Sequence, residues 1–329
     1  MYKPVNAFIF ESQDGSSGVN EQCLAAFHEV ILPSLEQISN CTRAGRDCSV
    51  RSPRRPRSCD VTRPDISRGS GRETETLTNR TRPPQIPVRD AVFCAGQIAL
   101  VPCSMQLVNG PVALQARLCF SHMEKVLRAM DSRLTLTHVL QAHIYITRRE
   151  HAAIVTETWN AKLQDIQEEC DDATQVESSV VVVPSLPRGA AVELHVMAVQ
   201  DSATDRSSHH TISEIPGGSV ECRLLQSSCA RYASLSLTVC LSDSHTAVDS
   251  VTDQLLSSYQ DALHKTNSLS ALCARVFYKS HDTFITQIAT GLERRLSGGP
   301  AVALVPVEDL PDRVGAAIER RSRCGAGSR

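Results

Sequence analysis

The sequence predicts an α+β chain of two tandem domains behind a segment that builds no core, and three observations carry that prediction. Ser178 to Gln200 reads as two strands and a tight turn: Val180 to Val183 is a β-branched run and Leu186-Pro187-Arg188-Gly189 is a turn cluster. Ala191 to Val199 then alternates inward Val192, Leu194 and Val196 with outward Glu193, His195 and Met197. A weaker copy of this ending stands at Val302-Ala303-Leu304-Val305-Pro306-Val307-Glu308-Asp309-Leu310-Pro311. Ahead of each ending runs a helical stripe, Ala116, Cys119, Met123, Val126, Leu127 and Met130 in the first and Val248, Val251, Leu255, Tyr259 and Ala262 in the second. A length of 329 residues agrees with two domains, at roughly 150 residues each.

From the amino terminus, residues 1–42 are a short helical segment, with Cys23, Phe27, Val30 and Ile31 on one face and a break at Pro33. From Arg43 to Arg89 the composition changes abruptly to twelve arginines, no lysine, five acids and six prolines. Such a segment has too few aliphatics for a core and is expected to be a disordered linker. Its Arg51-Ser52-Pro53-Arg54-Arg55-Pro56-Arg57 tract could neutralise phosphates, but no aromatic is interleaved to stack a base, so nucleic acid is not the expected partner.

The first domain spans 90–201. Ala91 to Leu100 is strand-like, Gln106 to Val108 is a short partner, and Asn109-Gly110-Pro111 breaks the chain before the helix Val112 to Met130. Thr137 to Ile146 is a strand, and Ala152, Val155, Trp159, Leu163 and Ile166 mark a second helix that frays at Glu168 to Asp172. The second domain spans 209–311. Ala230 to Leu241 is strand, Val248 to Ala262 helix, Leu272 to Tyr278 strand, Phe284, Ile288 and Leu292 helix, and Ala301 to Val307 strand. After Leu310-Pro311 the closing strand of the first domain has no counterpart. An unpaired edge and a weaker second domain are expected. Residues 312–329 form a Gly/Ser/Arg tail, expected to be disordered.

The formal net charge of -2 points to neither nucleic acid nor a membrane. No run approaches the roughly 20 apolar residues of a membrane span. The amino terminus lacks a signal-peptide apolar region, and the thirteen cysteines include no Cys-x-x-Cys pair, so a reduced, cytoplasmic protein is expected.

The segment Phe93-Cys94-Ala95-Gly96-Gln97-Ile98-Ala99, together with the Leu186-Pro187 turn followed by Val192-Glu193-Leu194, resembles the RidA/YjgF family of small α+β domains with a chorismate-mutase-like fold. Two such endings in tandem, with Gly96-Gln97-Ile98-Ala99-Leu100-Val101-Pro102-Cys103-Ser104-Met105-Gln106-Leu107-Val108, resemble the carboxyl-terminal half of the eukaryotic diphthine-ammonia ligases. That resemblance implies ATP-dependent amidation of diphthine on elongation factor 2, and self-association through the RidA-like domains. The ATP chemistry of those ligases belongs to an ATP-pyrophosphatase domain with a Ser-Gly-Gly-Lys-Asp-Ser phosphate loop. No such loop occurs here, and Ser297-Gly298-Gly299-Pro300 lacks the Lys-Asp-Ser continuation. No ATP-binding residue and no cofactor is therefore assigned.

The resemblance also bears on catalysis. In the imine and enamine deaminases of the family, an arginine eight residues before the Leu of the Leu-Pro turn holds a carboxylate and a last-strand glutamate positions water. Glu193 stands at the glutamate position, but the arginine position is Ser178, so the guanidinium fork is missing. Glu193 is the candidate cleft residue, as part of a deaminase-like enzyme or of a non-catalytic binding module. His209-His210 has no further ligand at metal spacing, so no metal is expected. His138 and His143, an odd number apart on one strand, are expected on opposite faces.

Overall fold

The computed structural model describes residues 8–12, 85–88, 91–170, 176–241, 247–266, 269–279 and 281–311. The predicted helix at 20–38, most of the Arg-rich linker and the 312–329 tail lie outside the described residues. Strands are β1 (Phe8–Ser12), β2 (Gln85–Val88), β3 (Ala91–Ile98), the short β4 (Leu100–Val101) and β5 (Gln106–Leu107), β6 (Val139–Ile146), β7 (Glu177–Val182) and β8 (Val192–Val199). They continue as β9 (Ser207–Ile215), β10 (Gly218–Gln226), β11 (Tyr232–Leu241), β12 (Leu269–Lys279) and β13 (Ala301–Val307). Among the described residues four α-helices accompany them: α1 (Val112–Met130), α2 (His151–Cys170), α3 (Val248–Lys265) and α4 (Thr283–Arg295).

The helices form where the apolar spacing required. α1 buries Ala116, Cys119, Phe120, Met123 and Leu127 and starts at Pro111, whose fixed φ suits a helix entry. Trp159 of α2 meets Phe120 of α1 edge to face, ring centroids 5.1 Å apart. α4 is capped by Asp282, whose carboxylate accepts the N–H groups of Phe284 and Ile285. Thr137 and His138 belong to a 3-10 turn, Leu136–His138, rather than to the following strand. His138 therefore caps Thr135, whose N–H its Nδ1 accepts at 3.2 Å, and shares no strand with His143.

The strands form two large sheets and the small antiparallel pair β4-β5. One has the order β2-β3-β8-β6-β7, the other β9-β10-β11-β1-β12-β13. In the first, β8 lies between β3 and β6 and runs antiparallel to both, while β6 and β7 are parallel. In the second, β1 lies between β11 and β12, antiparallel to both, while β12 and β13 are parallel. Strand for strand, β1 holds in the second sheet the place that β8 holds in the first. This corrects two expectations. The amino-terminal segment contributes a strand, and the missing closing strand leaves no open slot, because Phe8 pairs with Leu235 on one side and Ala274 on the other. Three further strands were not expected: β2 inside the expected linker, and β9 and β10, a hairpin turned at Pro216-Gly217 with Gly217 at φ 76°. The prolines within strands, Pro87 and Pro306, both sit in edge strands, where a lost donor is tolerated.

Each sheet is covered on one face by its own helix pair, giving two cores: Val92, Ala116, Phe120, Met123, Trp159 and Leu194 in the first, Leu235, Val251, Leu255, Ile288 and Leu292 in the second. The other two faces pack on each other. Phe93, Tyr145, Val181, Met197 and Val199 of the first sheet share one buried cluster with Tyr232, Phe277, Val305 and Val307 of the second. At one end the layer is stitched by backbone: the Val182 N–H donates to Asp309 O at 2.9 Å and the Glu308 N–H to Val182 O at 3.0 Å. The Asp309 carboxylate pairs with both Arg149 and Lys279. Burial works to raise its pKa and the two cations overcome it, holding the group below the usual carboxylate range. Among the described residues no helix is long and apolar enough to cross a membrane, and no group of three or more His, Cys, Asp or Glu could hold a metal.

Candidate functional site

Strand β8 alternates as the sequence required, but its second face does not meet solvent. Glu193, His195 and Met197 point into the layer between the sheets, where Glu193 is 7% exposed and His195 2%. Covering by the second sheet is the physical reason that outward residues are buried here. Glu193 Oε1 lies 3.0 Å from His195 Nε2, an i, i+2 pair on one face of the strand. Room for the pair comes from Gly96 of β3, at a bulge where the register to β8 slips between Cys94 and Gln97. A Cβ on Gly96 would stand 1.6 Å from Glu193 Oε1 and 2.8 Å from His195 Nε2. Gly96→Ala is expected to displace the carboxylate and cost about 1–3 kcal/mol. Chemical denaturation checks this; a stability equal to wild type would remove Gly96 from the account of how Glu193 is seated.

Next to Glu193, β6 contributes Tyr145 and His143, both at most 2% exposed. The Tyr145 ring stands 4.9 Å from His195 and 6.1 Å from Phe277 of β12, and His143 lies 5.4 Å from Phe277. Two residues before Phe277 on the same face comes Arg275, 5% exposed. Burial, reinforced by the Glu193 charge and opposed by Arg275, pushes the Tyr145 hydroxyl up to about 12. Burial first, then Arg275 and His195, hold His143 well below the ordinary imidazole value, so this ring is neutral at pH 7.

A histidine buried neutral makes the fold acid-sensitive. Its unfolded counterpart binds a proton as pH falls below 6.5 while the folded one does not. Stability is thus fully present above 6.5 and lost below it, by about 1.4 kcal/mol per pH unit until the folded value is reached. Denaturation between pH 7 and pH 5 is expected to show that slope in wild type and a flatter one in His143→Gln. Equal slopes would assign the acid sensitivity to other groups.

The residues singled out in the sequence are not brought together. Ser178 of β7 alternates with Ser179 and Val181, which face the inter-sheet layer, so Ser178 belongs to the helix-covered side, opposite to Glu193. His209 and His210 lie exposed on edge strand β9, where His210 pairs with Glu221 at 2.9 Å. Ser297-Gly298-Gly299 is the turn between α4 and β13, with Gly298 at φ 86°. The buried thiols Cys94, Cys119 and Cys273 are poor nucleophiles: burial pushes Cys94 up to about 12 and Cys273 up to about 11, and raises Cys119. Arg275 and Tyr145 went unread. Arg275 did leave a trace, a lone charge inside the apolar run Leu272 to Phe277.

The family model of endoribonuclease L-PSP matches residues 83–200, from the strand before β3 to the end of β8. Protein DfrA of Myxococcus xanthus is 30% identical over 115 residues, covering 35% of this chain and 80% of its own length. The chain belongs to the endoribonuclease L-PSP family. Among solved structures the chain is similar to Escherichia coli TdcF with bound serine, 24% identical over 36% of this chain and 86% of that one, at a TM-score of 0.32. The E. coli yjgF gene product is 22% identical over 35% of this chain and 85% of that one, at a TM-score of 0.31. The endoribonuclease L-PSP segment is thus the first sheet with its two helices, and it carries Gly96, Glu193 and His195 but not Arg275.

Proposed function

We propose that this chain supplies the paired RidA-like domains of a cytoplasmic diphthine-ammonia ligase. In this reading they recognise or assemble the machinery that amidates diphthine on elongation factor 2, and the ATP-dependent step runs on an ATP-pyrophosphatase module that this sequence does not contain. The observation that carries the reading is the repeated sheet. A second strand order matching the first, with β1 in the place of β8, supports a diverged RidA-like second domain, and the Gly96–Val108 wording resembles those ligases. Face-to-face packing of the two sheets supports association through RidA-like surfaces. The intact mass of the endogenous protein, captured with an antibody against the first domain, tests the proposal. A species much heavier than 35.9 kDa, with peptides from an ATP-binding region, is expected. A species at 35.9 kDa that leaves elongation factor 2 unmodified in reconstitution would sink the ligase reading.

One observation favours a second reading, an imine deaminase. Glu193 and His195 form a buried acid–base couple in space cleared by Gly96. Ser178 at the clamp position argues against it. Ammonia release from an iminopyruvate-type substrate, abolished in Glu193→Gln, would establish this reading, and no release above background would retire it.

A further inference from the structure

The layer between the sheets contains more hydrogen-bonding capacity than it uses. Arg275 is 5% exposed, and its Nε and Nη1 have no acceptor. His143 Nε2, His195 Nδ1 and the Ser234 hydroxyl on β11 are buried without a partner in the same layer, and the Tyr145 hydroxyl is buried there beside the Arg275 guanidinium. A guanidinium is donor only and always charged, so its idle N–H groups call for an acceptor, and burying the cation uncompensated is strongly unfavourable. The nearby carboxylate does not serve. Glu193 leans toward Gly96 on β3 and engages His195, whereas Arg275 of the second sheet stands beside Tyr145 and His143 of β6. Native proteins leave few buried polar groups unmatched, and several in one place mark a bound species.

We propose that the inter-sheet layer binds a small oxyanion, a carboxylate or a phosphate, with Arg275 of the second sheet as its counter-charge and Tyr145 and His143 of the first sheet completing its shell. The site is composite. Neither sheet alone holds both the charge and the neutral donors, so the anion couples the two halves of the chain. A water molecule could satisfy single hydrogen bonds there but would leave the Arg275 charge unbalanced. Every named group is at most 5% exposed, so an ion bound there is shielded from solvent. The proposal goes beyond the ligase reading and stands on the side chains of the layer, whichever reaction the protein serves.

Thermal unfolding of the full chain at constant ionic strength, with chloride exchanged for sodium acetate or for inorganic phosphate, tests it. Binding to the folded state raises the midpoint with a saturable dependence on anion concentration. Saturation by acetate alone identifies a carboxylate site, saturation by phosphate alone a phosphate site. Arg275→Met is expected to abolish the saturable rise, and Tyr145→Phe to weaken the apparent affinity about tenfold, on the order of one charge-assisted hydrogen bond. An equal, non-saturating rise in wild type and Arg275→Met would be a general salt effect and would overturn the proposal. Should Arg275→Met fail to fold, Tyr145→Phe decides, since calorimetric titration with an affinity equal to wild type, or with no binding to wild type, overturns it as well.

Discussion

Phe10→Pro is expected to unfold the second sheet while the first keeps its helices packed. β1 is a central strand, hydrogen-bonded to β11 on one side and β12 on the other, so a proline there removes a ladder donor and forces its ring against a neighbour. The direct cost is about 3 kcal/mol or more, a large fraction of a domain's total stability. Deleting residues 1–12 goes further, parting β11 from β12 along their whole shared length. Native-state hydrogen exchange reads the result. Amides of β11 and β12 are expected to lose protection, whereas those of α1 and β6 keep theirs. Trp159 provides an independent signal, being the single tryptophan and lying in the first core against Phe120. Its fluorescence is expected to stay that of a buried indole while apolar dye binds the uncovered face of Tyr145, Met197 and Val199. A peptide of residues 5–13 added in trans should restore part of the protection. Unchanged exchange in β11 and β12 after the deletion would mean that β1 is not what closes the sheet.

That strand also shows where sequence reading stops. The stripe from Val112 to Met130 and the run from Ala301 to Val307 were found with their observed limits, because a helix or strand that buries one face writes its period into adjacent residues. β1 has five residues and partners more than 200 positions away, so nothing local marks it as the closing strand of a distant sheet. The β9–β10 hairpin went unread for the opposite reason: β9 is exposed along most of its length and shows no alternation, which left only Pro216-Gly217 as a signal. Parity placed Glu193 and His195 on one face correctly. It could not say what that face meets, since period-2 alternation is silent about a second sheet packing from outside, and Arg275 enters the site only through that packing.

The largest single side-chain effect on stability is expected from Arg206, in the connection between β8 and β9. Its side chain is 1% exposed and the side chain of its partner Asp201 is wholly buried, with Nη2 to Oδ1 at 2.7 Å and Nε to Oδ2 at 3.1 Å. The fork also donates to three carbonyls of the turn before β6: Nη1 to Val139 O at 2.9 Å and Thr137 O at 3.3 Å, and Nη2 to His138 O at 2.9 Å. Asp201 in turn accepts the Ser228 N–H, at the β10–β11 turn, at 3.0 Å. One buried ion pair therefore ties the first sheet, the connection and the second sheet. Arg206→Ala strands a buried carboxylate and three carbonyls together, for which about 3–5 kcal/mol is expected. Arg206→Lys should recover little of it, because a point charge cannot reach those acceptors as a planar fork does. The pair Asp201→Leu with Arg206→Met should cost less than Arg206→Ala alone, since it removes the stranded charge along with its partner. Urea denaturation of the three variants separates the contributions. If the double variant is at least as unstable as Arg206→Ala, removing the stranded charge restores nothing, and Arg206 stabilises by packing its alkyl chain rather than by answering Asp201.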